Sequence, residues 1–246
     1  MVSEILLNGA AQLGVELAAA QQQAFGLYLD LLLQGNRVVN LTSLREPDAV
    51  ERRHLLESLA FGALLAGRGL LTAGVRILDL GSGGGLPGIP LKLAWPEVAL
   101  TLLEATARKA RFLEGAIAAL GLPRAAVLYG RAEALAHDPN LRGQFDLVSA
   151  RAVAALPALV ELALPFLTLG GTLAAVKGSR APAELTAAHE ALRVCGGRVV
   201  ATEPLPAEGP LHLILIEKIS ETPLTYPRRP GRPAAAPLGL GLGAGR

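Results

Sequence analysis

The chain has 246 residues, of which 51% are hydrophobic and 18% are charged. This composition supplies enough apolar residues for a full buried core and excludes a wholly disordered chain, so we expect one large domain or one domain with a small appendage. The formal net charge is only +2. The chain as a whole is therefore not polybasic, and any contact with a nucleic acid must come from a local basic patch.

The N-terminus has no cationic region, and Arg68 interrupts the longest apolar run before it reaches the roughly 20 residues of a membrane span. The single cysteine, Cys195, cannot form an internal disulfide and has no Cys or His neighbour at metal-ligand spacing. We therefore expect a cytoplasmic protein without a membrane segment or a metal site, in which Cys195 is a buried packing residue.

Residues 1–70 show helical patterning, which predicts a helical N-terminal cap with helices at 3–13, 17–33 and 47–65. Ser43 and Glu46 have the spacing of a capping box that would start the third helix. From residue 75 onward short apolar segments alternate with helical ones, which indicates a parallel sheet with helices on both faces. The predicted strands are 75–80, 98–103, 125–129, 145–150, 172–177, 197–202 and 211–219.

The link between the last two predicted strands is short and rich in proline, so it cannot hold a crossover helix and the strands should pair antiparallel. The expected fold is α/β and Rossmann-like, a mostly parallel seven-stranded sheet with an antiparallel C-terminal hairpin, over residues 71–222. Residues 223–246 are rich in Pro and Gly and contain four arginines and no acid. We expect them to form a largely disordered basic tail.

The first predicted strand runs directly into a glycine-rich turn. Gly81, Gly83 and Gly85 allow a tight turn with close backbone approach to a ligand, and the following helix would direct its N–H groups at that ligand. Leu86 replaces the third glycine of a dinucleotide fingerprint in this register, and the charge of Asp79 would repel a phosphate and attract an ammonium group. S-adenosylmethionine, a zwitterionic cofactor, therefore fits better than a dinucleotide.

Glu104 ends the second predicted strand, 23 positions after Gly81, which is close to the spacing of an acid that binds a ribose diol. NAD and S-adenosylmethionine both carry such a ribose, so Glu104 indicates an adenosine cofactor without choosing between them. Ligands of an open parallel sheet bind at the carboxyl ends of its strands, which predicts one crevice. Its predicted members are Asp79, Gly81, Glu104, Ala105, Ala132, Glu133 and the segment 149–151.

Several motifs resemble those of one bacterial family, the small-subunit rRNA guanine-N7 methyltransferases called RsmG or glucose-inhibited division protein B (GidB). They are Leu-Asp-Leu-Gly-Ser-Gly-Gly-Gly-Leu-Pro-Gly-Ile-Pro at 78–90, Asn-Leu-Thr-Ser at 40–43, Ser-Ala-Arg at 149–151, Val-Lys-Gly at 176–178 and Tyr-Pro-Arg-Arg-Pro-Gly at 226–231. The resemblance implies a class I methyltransferase that uses S-adenosylmethionine and methylates guanine N7 at position 527, in the 530 loop of 16S rRNA. The implied partner is 16S rRNA or the small ribosomal subunit.

The resemblance also implies roles for individual residues. Gly81 and Leu86 would line the methionine side of the cofactor, and the wider cofactor set is Asp79, Gly81, Gly83, Leu86, Glu104, Ala105, Thr106, Ala132, Glu133 and Arg151. Asn40 and Arg151 would act at the reacting base, Asn40 at a base edge and Arg151 on guanine O6, a phosphate or the methionine carboxylate. The residues that could contact RNA phosphates are Arg52, Arg53, His54, Lys177, Arg228 and Arg229.

The sequence lacks the signatures of other nucleic-acid methyltransferases. The fourth strand is followed by Ser-Ala-Arg rather than by the Asn/Asp-Pro-Pro-aromatic pattern of exocyclic-amine enzymes, and Cys195 is not placed as the nucleophile of a cytosine-C5 enzyme. Guanine N7 needs no general base, because its lone pair is already nucleophilic and the reaction releases no proton from the base. Two alternatives remain open: a small-molecule methyltransferase, and an RNA-binding assembly factor with a vestigial cofactor site.

Overall fold

A computed structural model describes residues 2–240, which fall into two compact units. One unit is Met1–Tyr129 with Leu205–Gly209, and the other is Gly130–Pro204 with Pro210–Arg246. The first unit joins the helical N-terminal segment to the first three strands, so its limit does not coincide with the predicted boundary after residue 70. The N-terminal helices belong to this unit because helix α2 (Ala19–Asn36) packs against both α5 (Gly88–Ala94) and α6 (Ala107–Leu120).

The three predicted N-terminal helices are present, with shifted ends. They are α1 (Glu4–Gln12), α2, and a third stretch made of α3 (Pro47–Val50), a π-helical turn (Glu51–Leu56) and α4 (Glu57–Gly67). The predicted capping box is wrong: the residue before α3 is Glu46, it makes no side-chain cap, and Pro47 occupies the first turn. Proline has no N–H group to satisfy and its φ is preset for a helix, while it forces the preceding residue to be extended.

The seven strands match the predicted segments closely. They are β1 (Arg76–Leu80), β2 (Ala99–Glu104), β3 (Ala125–Tyr129), β4 (Phe145–Arg151), β5 (Leu167–Lys177), β6 (Gly197–Pro204) and β7 (His212–Lys218). Their order in the sheet is β3-β2-β1-β4-β5-β7-β6. The pairs β1/β2, β2/β3 and β4/β5 are parallel, whereas β7 is antiparallel to both β5 and β6. The predicted α/β Rossmann-like sheet with a C-terminal hairpin is confirmed.

The register of β1 on β2 aligns their carboxyl ends. Asp79 lies opposite Leu102 and Leu80 opposite Leu103, so the glycine-rich turn after β1 starts beside Glu104 at the end of β2. The central strands are buried along most of their length, as expected for a sheet with helices on both faces. The shared edge therefore brings the predicted cofactor residues of β1 and β2 together.

The second unit contains α7 (Ala132–Leu135), α8 (Leu156–Ala163), a 3-10 turn (Leu164–Phe166), α9 (Ala181–Ala187), α10 (His189–Cys195) and α11 (Arg232–Ala235). Cys195 is buried at the end of α10, as predicted. Among residues 2–240, no helix combines the length and apolar character needed to cross a membrane.

The expectation of a disordered C-terminal tail is not met for residues 223–240. The Arg142 guanidinium donates to the carbonyl oxygens of Thr222, Pro223 and Tyr226 at 2.7, 3.2 and 2.9 Å, and Arg228 forms a 2.6 Å ion pair with Glu161. Charge-assisted hydrogen bonds of this kind fix a segment that has few apolar residues of its own. The last part of the predicted tail, residues 241–246, lies outside the described residues.

Candidate active site

The glycine-rich loop has left-handed backbone at three glycines and is hydrogen-bonded to the end of β2. Gly81, Gly83 and Gly85 have φ values of 71°, 58° and 94°, a region that favours glycine over residues with a Cβ. The amides of Gly81 and Ser82 both donate to the Leu103 carbonyl, at 2.9 and 3.1 Å, which ties the start of the loop to the end of β2. A Cβ built on Gly83 would meet no heavy atom closer than 4.0 Å, so the space beside this glycine is open.

Glu104 ties the loop to the start of α6. One carboxylate oxygen accepts the Gly83 N–H at 3.0 Å and the other accepts the Thr106 N–H at 2.7 Å, and the side chain is 6% exposed. Each carboxylate oxygen has two lone pairs, so both retain capacity for further donors. Glu104, Ala105 and Thr106 thus lie together beside the loop, and the Thr106 side chain makes no helix-cap hydrogen bond.

The Asp79 side chain is buried and bonds the start of α5, away from the open space beside Gly83. It is 1% exposed, and its Oδ2 accepts the N–H of Gly88, the first residue of α5, at 3.2 Å. A Cβ on Gly88 would stand 2.9 Å from that oxygen, so this glycine is needed for the close approach. Leu86 is likewise buried, and its amide donates to Ser82 O at 3.0 Å. Asp79 and Leu86 thus both help to fix the conformation of the glycine-rich loop.

The loop that carries Asn40 packs against the glycine-rich loop within the first unit. The Tyr28 hydroxyl donates to the Gly84 carbonyl at 2.8 Å, and a Cβ built on Gly84 would lie 3.5 Å from the Cβ of Leu41. Leu41 is buried, whereas the Asn40 side chain next to it is exposed. The predicted base-contacting residue is therefore held next to the predicted cofactor loop.

Asn36 and Thr42 fix the conformation of the segment 40–44. Asn36 Oδ1 accepts the amides of Leu41 and Thr42 at 2.9 and 3.0 Å, and its Nδ2 donates to the Leu44 carbonyl at 3.1 Å. The Thr42 hydroxyl is 2.5 Å from His54 Nε2, while His54 Nδ1 is 2.9 Å from a carbonyl. A carbonyl can only accept, so Nδ1 donates to it, and Nε2 shares a hydrogen bond with the Thr42 hydroxyl. His54 thus helps to hold the segment 40–44 in place.

The second unit holds the other predicted cofactor residues. Ala132 and Glu133 begin α7 and are both buried, and Glu133 Oε1 accepts the Gly231 N–H at 2.9 Å. Arg151 ends β4 and is partly exposed. Their roles toward a cofactor or a base stay predictions.

The predicted RNA contacts divide into two kinds. Lys177 is 8% exposed, donates to the Ala154 carbonyl and pairs with Glu184 at 2.9 Å, and Arg228 is held by Glu161, so neither side chain is available to a phosphate and we set both aside. His54 is engaged by Thr42, which favours a supporting role. The exposed arginines stay predicted contacts: Arg52, Arg53 and Arg229.

A family model described as GidB, rRNA small subunit methyltransferase G, matches residues 21–212. The chain belongs to the rRNA small subunit methyltransferase G family. The match includes the Asn40 loop, the glycine-rich loop and all strands up to the start of β7.

Curated relatives are similar in sequence over nearly the whole chain. The ribosomal RNA small subunit methyltransferase G of Chloroflexus aggregans is 43% identical over 236 residues, covering 95% of this chain and 97% of the relative. That of Deinococcus deserti is 41% identical over 239 residues, with 96% of each chain covered. The family resemblance predicted from the motifs is confirmed.

Solved structures show the same fold at low sequence identity. A mutant of MtNAS in complex with S-adenosylmethionine has a TM-score of 0.57 at 17% identity, covering 81% of this chain and 76% of that one. The cyclase SpnF has a TM-score of 0.54 at 17% identity, covering 83% and 98%. Likeness at this identity shows the fold alone, so the reaction of this GidB family member has to be argued from its own residues.

Two residues that support the site, Tyr28 and Asn36, lie outside every motif of the sequence. A tyrosine on an amphipathic helix is typical of a core residue, and an asparagine before a loop is typical of the end of a helix. The sequence places Asn36 four positions before the Asn-Leu-Thr-Ser motif at 40–43, and Leu41 lies inside that motif.

Proposed function

We propose that this chain transfers a methyl group from S-adenosylmethionine to N7 of a guanine in small-subunit rRNA, at position 527 in the 530 loop of 16S rRNA. The observation that carries the proposal is the link between Gly83, Glu104 and Thr106, which joins an open glycine-rich turn to the acid that we predict to bind the ribose. Membership of a family described as rRNA small subunit methyltransferase G supports rRNA as the substrate class.

The residues of the first unit fit this cofactor. The space beside Gly83 is open, and the Glu104 carboxylate retains lone pairs that can accept the two hydroxyls of a ribose. The loop also ends in a short helix whose first amide is already bound by Asp79, so it offers no unpaired N–H at that position for a diphosphate. This arrangement favours an adenosine cofactor without a diphosphate.

S-adenosylmethionine supplies an electrophilic methyl group when it is bound. The guanine N7 lone pair attacks without loss of a proton, so the chain needs no general base and contributes by alignment and by its electrostatic environment. We assign the exposed Asn40 amide to a base edge, because Asn36 and Leu41 hold its loop on the cofactor loop. Arg151 is assigned to guanine O6 or a phosphate.

The test compares cofactor binding and product identity in wild type and Glu104→Gln. The amide would place an NH2 group against one of two N–H donors and lose acceptor capacity for the ribose, so we expect at least a ~10-fold weaker Kd for S-adenosylmethionine. Glu114→Gln, an exposed acid on the same helix that follows Glu104, is the matched control. Labelled methyl should appear in RNA as 7-methylguanosine. Label in another nucleoside, or only in small molecules, would overturn the proposal.

A further inference from the structure

A cavity of about 520 Å³ lies beside the Asn40 loop in the first unit. The residues that line it, named here the Asn40 pocket, are Leu33, Asn36, Arg37, Asn40, Arg45 and Pro47. They come from the end of α2, the loop itself and the start of α3. The volume falls in the range of roughly 300–1,000 Å³ that is typical of small-ligand sites, so it has room for part of a nucleotide.

Two of the six lining residues are arginines, and the exposed Glu46, between Arg45 and Pro47 in the chain, is not among them. Arg37 and Arg45 are both exposed, and neither side chain forms a hydrogen bond or an ion pair with another residue in the range 2–240. None of the lining residues is acidic. The nearby carboxylate of Asp48 is 3.7 Å from the Arg52 guanidinium instead. Two guanidinium groups therefore line one pocket and lack an anion.

The walls of the pocket are held in place before any ligand arrives. Asn36, which lines the pocket, bonds the backbone of Leu41, Thr42 and Leu44 at 2.9 to 3.1 Å. Thr42 is held in turn by His54. A fixed loop loses little conformational entropy when it binds, which favours recognition of a specific group over loose attraction.

The chemistry of the lining residues selects the ligand. Guanidinium groups bind phosphate oxygens with paired N–H donors, and an asparagine amide both donates to and accepts from a base edge. Leu33 and Pro47 offer apolar contact for a ribose or base face. Together they suit a nucleotide within an RNA strand, with its phosphate on the arginines.

We propose that the Asn40 pocket binds the RNA phosphate adjacent to the methylated guanosine, with Arg37 and Arg45 as the phosphate contacts. The inference rests on the proposed rRNA substrate and assigns the phosphate contact to two arginines next to Asn40. It places the charge that holds the RNA beside the residue that contacts the base, so the same loop positions both parts of one nucleotide.

The experiment measures binding of a 16S rRNA fragment that contains the 530 loop, at several salt concentrations, together with methyl transfer kinetics. The double variant Arg37→Gln, Arg45→Gln should weaken RNA binding and raise the KM for RNA by at least ~10-fold, because two charge-assisted bonds are lost. The slope of log affinity against log salt should shrink by about one to two. The Kd for S-adenosylmethionine and the thermal midpoint should not change.

The control is the double variant Arg193→Gln, Arg198→Gln, which removes the same net charge. Both arginines are exposed and already paired, with Glu190 at 2.6 Å and Glu217 at 2.7 Å. If the Asn40-pocket variant loses no more RNA affinity and no more salt slope than this control, the inference is overturned while the proposed function stands. If wild-type protein transfers no methyl to RNA, the proposed function fails and the inference fails with it.

Discussion

The Asn40 loop and the C-terminal segment 222–236 are both arginine-bearing segments without regular strand structure, yet they use their polar side chains in opposite ways. The C-terminal segment is held by two arginines: its own Arg228 pairs with Glu161, and Arg142, which lies outside the segment, donates to the segment's carbonyls, while Arg229 is exposed. In the Asn40 loop, neutral side chains hold the backbone and the nearby Arg37 and Arg45 are left exposed.

A basic residue in a sequence is therefore a candidate nucleic-acid contact only after its internal partners are known. Tyr226-Pro-Arg-Arg suggested phosphate contacts, and one of those arginines is bound to a carboxylate that is fully buried. Guanidinium groups serve equally well as structural clamps and as phosphate ligands, because both uses depend on the same fork of N–H donors.

Replacement of Arg228 should give the largest effect on stability. Arg228→Ala removes the guanidinium partner of Glu161, whose side chain is 0% exposed, and leaves it the backbone N–H of residue 228; loss of the ion partner of a buried carboxylate costs about 3–5 kcal/mol of unfolding free energy. Urea unfolding checks the change. Arg229→Ala, at the exposed neighbouring position, should shift stability by about 0.5 kcal/mol or less. Similar losses in the two variants would show that Arg228 is not a clamp.

Replacement of Asn36 should act mainly on activity. Asn36→Ala removes three hydrogen bonds to the segment 40–44, so the loop that carries Asn40 loosens and methyl transfer should fall by about 100-fold. Asn36→Asp keeps both acceptor bonds but sets a carboxylate oxygen against the Leu44 carbonyl in place of the donor, so it should retain only part of the activity that Asn36→Ala loses. Initial rates of transfer to RNA give the measurement, with the exposed Asn8→Ala as control. Equal rates in all four proteins would contradict the role of Asn36.

The smallest expected effect is on the reactivity of the Cys195 thiol, which tests how firmly the C-terminal segment is held. Burial raises the pKa of its thiol to about 12, with the nearby Glu161 adding to the rise, so the thiol is protonated at pH 8. The Cys195 carbonyl also accepts the Thr222 hydroxyl at 2.7 Å. A thiol reagent at pH 8 should therefore react slowly with native protein, fast after unfolding, and at an intermediate rate with Arg228→Ala. Fast reaction of the native protein would show that the segment does not cover this region.

The sheet could be predicted from the sequence because each strand is a short apolar run bounded by turn residues, and because a link of eight residues rich in proline permits only an antiparallel hairpin. The pairing of the glycine-rich loop with Glu104 was equally accessible, since parallel strands bring the residues after each strand to one edge.

The missed features depend on contacts that are distant in sequence or on fine loop geometry. Arg228 and Glu161 are 67 positions apart, so composition alone described the tail as disordered. The predicted capping box of Ser43 and Glu46 does not form, because the helix starts at Pro47 without a side-chain cap. The clamp formed by Asn36 requires the turn at 37–44, which no residue pattern specified.

The most direct measurement of the central claim maps the methylated base. Unmodified 16S rRNA and small subunits are incubated with the protein and S-adenosylmethionine, then treated with borohydride and aniline, which cleave the strand at 7-methylguanosine. We expect cleavage at one guanine in the 530 loop, and this cleavage should be lost when the cofactor is omitted. Cofactor binding without any cleavage, or cleavage at guanines outside that loop, would contradict the central claim.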